Sequence, residues 1–173
     1  MNGASQRGNG LVGEGEISLC SMSLGKELFG IDTSKVREVL GPSLLRTVPL
    51  APAYIAGIIP YRGDVLTTLS FRALLGRPED KCAGCVLVLD DEESGERLGL
   101  MVDSVGGVVT VRKDTLEANP STLDARSKAL FDGAYKLTTG LIVRIDPQRL
   151  RPGLLAATGL FGDGLRGDGV CAR

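Results

Sequence analysis

Apolar and polar residues alternate over short runs that glycine or proline interrupts every few positions, and this restricts the chain to short strands and tight turns. Ile17 to Leu24 alternates, Gly25 and Lys26 offer a turn, and Leu28 to Ile31 resumes, which predicts a hairpin. Val36 to Leu40 is a further short run, closed by Gly41 and Pro42. Cys85 to Leu89 and Leu98 to Val102 flank the acidic stretch Asp90 to Glu96 as a second hairpin. Val105 to Val111 continues past Gly106 and Gly107, which mark a bulge or corner, and Leu137 and Leu141 to Ile145 bracket Thr139 and Gly140 as a last hairpin. Helices have room only to be short. One turn fits Ala51 to Ala56 downstream of Pro49, another Phe71 to Leu75 before Gly76 and Pro78, and a third Asp146 to Leu150 with Pro147 in its first turn. About eight to ten strands so punctuated predict a mainly β fold, a barrel or a sandwich, and do not fit a β-α-β alternation.

At 173 residues the chain reads as one domain that buries roughly two thirds of its unfolded surface. Residues 1–13 and 158–173 are glycine-rich and predict disordered tails around a domain spanning 14–157. Each tail contains a G-x-G-x-x-G, at Gly8, Gly10, Gly13 and at Gly162, Gly164, Gly167, but neither follows a strand and opens a helix as a dinucleotide site requires. The 20 basic and 21 acidic side chains give a net charge of −1 without a basic stripe, so nothing points to nucleic acid or an anionic membrane. No apolar run approaches ~18 residues, and the amino terminus lacks a basic segment followed by an apolar one. A cytoplasmic protein without direct membrane insertion is expected.

Catalytic chemistry finds little to work with. The chain has no histidine, the commonest general base and metal ligand, and Ser21, Ser23 and Ser127 have no adjacent base. The carboxylates of Asp90, Asp91, Glu92 and Glu93 read as a solvated hairpin tip that discourages edge pairing, with cation binding the weaker reading. Asp32, Asp103 and Asp146 each close an apolar strand, where carboxylates cap turns. Cys82 and Cys85 form a C-x-x-C, half of a zinc site or a redox pair at most, because Cys20 and Cys171 stand apart and Cys85 opens the apolar run Val86 to Leu89. No cofactor, metal or enzyme activity is therefore expected. The remaining feature is Arg62, set beside Gly63 between Ile58-Ile59 and the alternating run Val65 to Phe71. Its guanidinium offers five donors in a fixed fork, suited to a partner's carboxylates, carbonyls or amides; a solvated turn arginine is the alternative.

Several segments in order resemble the CheW-like domain family, adaptors that join chemoreceptors to CheA-type histidine kinases in bacterial chemosensory arrays. The resemblance is carried by Phe29-Gly-Ile-Asp-x-x-x-Val36-x-Glu38-Val39, by Pro49-x-Ala-Pro-x-x-Ile55-x-Gly57-Ile-Ile, and by the Arg62-Gly63 turn with Phe71-Arg72-x-Leu-Leu-Gly76. It continues in Gly99-Leu-x-Val102-Asp103-x-Val105-x-x-Val108 and Gly140-Leu-Ile-Val-x-Ile-Asp146-x-x-x-Leu150. It implies two SH3-like five-stranded β-barrels sharing a hydrophobic interface, with a few short helices. It also implies partner-binding roles for Val36, Glu38, Gly57, Arg62, Gly63, Val105 and Val108, with the receptor's cytoplasmic tip and the kinase's regulatory domain as partners. Core packing is the rival reading for the three valines, and backbone geometry for Gly57 and Gly63. The family's turn usually reads Asn-Leu-Arg-Gly, with a proline four residues on and Asp-Leu-Arg closing the strand. Here Pro60-Tyr61-Arg62-Gly63, Thr67 and Ser70-Phe71-Arg72 stand instead, so an altered receptor-facing surface is expected, as in a paralogue that joins an array without coupling it.

Overall fold

The computed structural model describes residues 13–41, 45–78, 84–91 and 94–161. They form ten strands: β1 (Glu16–Leu24), β2 (Glu27–Asp32), β3 (Val36–Leu40), β4 (Ile55–Tyr61), β5 (Asp64–Ser70), β6 (Cys85–Asp90), β7 (Arg97–Val102), β8 (Ser104–Arg112), β9 (Phe131–Leu137) and β10 (Gly140–Ile145). Three short helices accompany them, α1 (Phe71–Leu74), α2 (Ala125–Leu130) and α3 (Pro152–Thr158). Their brevity follows from their neighbours: α3 opens on Pro152 and ends at Gly159, whose φ of 63° terminates it.

The strands make two five-stranded sheets, β8-β1-β2-β10-β9 and β3-β6-β7-β5-β4. Both run through the same series of pairings, antiparallel, antiparallel, parallel, antiparallel. Strands β1–β5 and β6–β10 are thus equivalent halves, and each sheet joins the leading hairpin of one half to the last three strands of the other. The equivalence reaches single residues. Val36, Arg37-Glu38 and Val39 meet Leu89, Val88 and Leu87 on β6 as Val105, Gly106-Gly107 and Val108 meet Met22, Ser21 and Cys20 on β1, so the two halves share a β-bulge at this place.

Each sheet curls until its edges meet. The chain leaving β3 pairs with β4 through Arg46 N–H to Ile58 O (2.9 Å) and Ile58 N–H to Arg46 O (2.8 Å). Correspondingly, the chain leaving β8 pairs with β9 through Glu117 and Ala134, both bonds 2.9 Å. At both seams a glycine admits the crossing backbone: a Cβ on Gly57 would lie 2.3 Å from Arg46 O, and one on Gly133 2.5 Å from Glu117 O.

Alternation sends one face of each strand into its own barrel and the other into a shared core. Ile17, Leu19, Val111, Tyr135 and Ile142 fill one barrel, and Ile59, Tyr61, Leu66, Val86 and Val88 the other. Between the barrels lies the largest cluster, including Met22, Phe29, Leu69, Phe71, Leu87, Leu100, Phe131 and Ile145. Phe29 sits edge-on to Phe71 with ring centroids 4.8 Å apart and 5.7 Å from Phe131.

Four expectations are corrected. Ala51 to Ala56 forms no helix: Pro52 O accepts from Ile55 N–H in a turn, and β4 begins at Ile55. The folded unit continues past residue 157, because α3 runs to Thr158 and Phe161 is buried against Tyr54. Asp90 and Asp91 are not a solvated tip: Asp90 meets Arg37 at 2.7 Å and Arg97 at 3.1 Å, and Asp91, 12% exposed, pairs with Arg151. Ser70 offers no surface at all, being fully buried with its hydroxyl accepting from Ala73 N–H at the start of α1. Glu92, Glu93, Cys82 and the two G-x-G-x-x-G glycine sets, apart from Gly13, lie outside the described residues.

Candidate functional site

Strands β4 and β5 are joined by two residues, with Tyr61 paired to Asp64. Arg62 has φ 50° and Gly63 φ 87°, the left-handed pair that a type I′ hairpin turn requires. Glycine adopts this conformation freely; an arginine there costs about 1–2 kcal/mol. The turn thrusts the Arg62 side chain outward, 59% exposed.

Glu38 reaches this turn from β3, the opposite edge of the same sheet. Its Oε1 accepts from the Tyr61 hydroxyl and, at 3.0 Å, from Arg62 Nη2. The Tyr61 ring belongs to the barrel interior while its hydroxyl ends at the mouth, and the Arg62 guanidinium lies 5.4 Å from the ring centroid. These donors hold the Glu38 carboxyl below the usual range, Tyr61 first and Arg62 after it. Val39 and Val65 are exposed on the neighbouring strands, and a groove of about 570 Å³ begins beside the turn, running past Asp64 and Val65 to Arg97 and Arg151.

The residues expected from sequence separate into three situations. Glu38, Arg62 and Gly63 come together at one barrel mouth. Val36 lies one bulge away, half-buried against the shared core, and Gly57 is buried at the seam under the Arg46 backbone. Val105 and Val108 belong to the other barrel, at the equivalent bulge; Val105 packs on the shared core and Val108 is 65% exposed. Tyr61 is a residue of this mouth that the sequence motifs do not single out. The signal was its two-residue spacing from Ile59, which puts both side chains on the inner face and leaves a buried hydroxyl in need of an acceptor.

A second charge cluster joins the barrels away from this mouth. Arg72 grips Asp103 through Nε (2.8 Å) and Nη2 (2.6 Å), and Gly25 N–H donates to the same carboxylate at 2.7 Å. The fork lowers the Asp103 carboxyl, with Arg72 the main cause. Asp32 and Asp146 cap the turns that follow their strands, accepting from Ser34 N–H (2.9 Å) and Gln148 N–H (3.0 Å). Among the described residues no group of three or more His, Cys, Asp or Glu gathers as a metal would require, and none of the helices is long and apolar enough to cross a membrane. The mouth at Glu38 and Arg62 is therefore a place to present a fixed cation beside apolar side chains.

The family model for the CheW-like domain matches residues 18–152. The chain is 25% identical over 145 residues to "Chemotaxis protein CheW" of Treponema pallidum, covering 80% of this chain and 84% of that one. It is 26% identical over 140 residues to "Probable chemotaxis protein CheW" of Rhizobium etli, covering 80% and 90%. Among solved structures, the scaffolding protein TtCheW from Thermoanaerobacter tengcongensis superposes with a TM-score of 0.67 at 24% identity, over 75% of this chain and 88% of that one, and so shares the SH3-like double-barrel fold. By the match of its family model and the fold that carries it, the chain belongs to the CheW-like domain family.

Proposed function

We propose that the protein is a non-catalytic adaptor that couples chemoreceptors to a CheA-type histidine kinase in the cytoplasm, at the receptor arrays. The observation that carries this reading is the Arg62 turn: a guanidinium carried on a left-handed backbone and bonded to Glu38 from the opposite sheet edge, with exposed Val39 and Val65 on the adjoining strands. Such an arrangement orients a partner through the cation while the valines contribute affinity. Val36, Glu38, Arg62 and Gly63 form the receptor-facing end. Val105 and Val108, on the other barrel, would serve a separate contact with the kinase's regulatory domain. Passing a signal further requires that the adaptor bind the kinase's states unequally.

The test is a pull-down of the chemoreceptor cytoplasmic tip by the wild-type protein and by Arg62→Glu. Charge reversal should abolish retention of the tip while kinase binding persists; undiminished retention would refute the assignment. Reconstituted kinase assays separate coupling from assembly alone, since a protein that only fills an array leaves receptor control of phosphorylation unchanged.

A further inference from the structure

We propose that Tyr61 is a positioning residue that keeps the Arg62 guanidinium available to a carboxylate-bearing partner. This deepens the docking reading above and rests on it. Glu38 is the only acidic side chain that the described residues bring within hydrogen-bond reach of Arg62, and a carboxylate next to an exposed arginine ordinarily closes on it in a two-pronged pair. That pair would consume the fork that a partner must use.

Here the pair is incomplete. Tyr61 and Arg62 donate to the same oxygen, Oε1, and Arg62 contributes only Nη2 at 3.0 Å. The Tyr61 hydroxyl ends at the barrel mouth, where it donates to Glu38 and lies beside Arg37. Tyr61 is 6% exposed and packed with Ile59, Leu66, Val86 and Val88, so its ring is fixed, and losing Glu38 would cost the hydroxyl its acceptor. Tyr61 thereby fixes Glu38 from below, and the carboxylate meets Arg62 side-on through one N–H. Among the described residues the remaining donors of the guanidinium stay unspent, while its central carbon lies over the same tyrosine ring, 5.4 Å from the centroid. The left-handed φ of 50° at Arg62 agrees with this: the turn holds a costly residue where glycine would fit better.

The experiment measures phenylglyoxal modification of Arg62, mapped by mass spectrometry, in the full chain and in Tyr61→Phe, Glu38→Gln and the double variant. Phenylalanine keeps the ring and its packing, and near-UV circular dichroism verifies the fold. Freed of the hydroxyl, Glu38 should swing onto the guanidinium, slow its modification about threefold or more, and weaken binding of the chemoreceptor tip by a similar factor. Adding Glu38→Gln to Tyr61→Phe should restore the modification rate, a rescue that a packing defect would not give. Glu38→Gln alone should accelerate modification less than about twofold, because Tyr61 already diverts the carboxylate, and this variant decides the matter if Tyr61→Phe does not fold. An unchanged rate in Tyr61→Phe, or a severalfold acceleration in Glu38→Gln alone, overturns the proposal. Wild-type tip binding by Arg62→Ala would instead overturn the docking reading, with the modification kinetics still judging Tyr61.

Discussion

Gly57→Ala should open the seam of the barrel that carries Arg62. Gly57 is buried with φ 157°, a conformation that L side chains rarely adopt, and contact adds to that strain: the new methyl would stand 2.3 Å from Arg46 O and 2.9 Å from Arg46 C, distances that real Cβ atoms do not adopt. The obstruction is backbone, which cannot swing aside as a side chain does. Relief requires moving Arg46 outward and stretching the 2.9 and 2.8 Å bonds to Ile58, the two backbone bonds that join β3's trailing chain to β4. Each backbone bond contributes about 0.5–1.5 kcal/mol net, and groups left unsatisfied inside cost about 1–3, so the loss should fall at about 2–4 kcal/mol. With a urea slope of about 1–3 kcal/mol per molar, the denaturation midpoint should drop by about 0.7–4 M. Amide exchange at Arg46 and Ile58 should accelerate before that of β7, the central strand. Gly63→Ala is the control: nothing lies within 4 Å of a Cβ there, so it should cost only the left-handed strain of about 1–2 kcal/mol and leave both amides protected. A Gly57→Ala protein with the wild-type midpoint and intact protection at Ile58 would refute the seam argument and return Gly57 to the partner surface.

Ser70→Ala removes the cap of α1 and should cost about 1 kcal/mol in urea titrations while leaving tip binding unchanged, since Ser70 is buried; lost binding without lost stability would contradict this. Asp103→Asn should flatten the acid limb of stability. The native carboxyl titrates below its unfolded value of about 3.9, so its contribution is present above that pH and disappears as pH falls through the native value; the asparagine variant should be less stable at pH 7 and lose less on acidification, and a parallel pH profile would refute the assignment.

The strands were legible because burial on one or both faces writes itself into residue order. Ile17 to Leu24, Cys85 to Leu89 and Val105 to Val111 fall where alternation and apolar runs put them, and Gly106 and Gly107 do form the bulge. Pairing order was not legible. The parallel contacts of β2 with β10 and of β5 with β7 join segments from opposite halves, and nothing local encodes them. The start of β9 and helix α2 escaped notice because Phe131 to Lys136 holds a buried glycine where an apolar residue would signal a strand, and α2 spans only six residues after its Asp124 cap. At the site, the Arg62 turn was readable from Gly63 and its flanks, whereas the link from Glu38 to Tyr61 crosses between sheet edges that become neighbours only when the sheet curls.

Duplication makes the difference between the two barrels informative. Val36 and Val39 correspond to Val105 and Val108, and the two-residue link Arg62-Gly63 corresponds to Thr138-Thr139, with exposed Val65 and Leu141 following each link at the same place. The registers agree, and the exposed apolar side chains agree. Charge does not: the bulge holds Arg37-Glu38 in one half and Gly106-Gly107 in the other, and the link holds a fixed cation in one and two neutral threonines in the other. A partner that reads a guanidinium finds it at one end only, and a partner fitted to a neutral apolar rim meets a charged pair at the wrong end. A scaffold that joined identical proteins would gain from keeping its ends alike. One that bridged two different proteins, as proposed above, would need them unlike, and the differences between the two ends fall on the bulge and the turn.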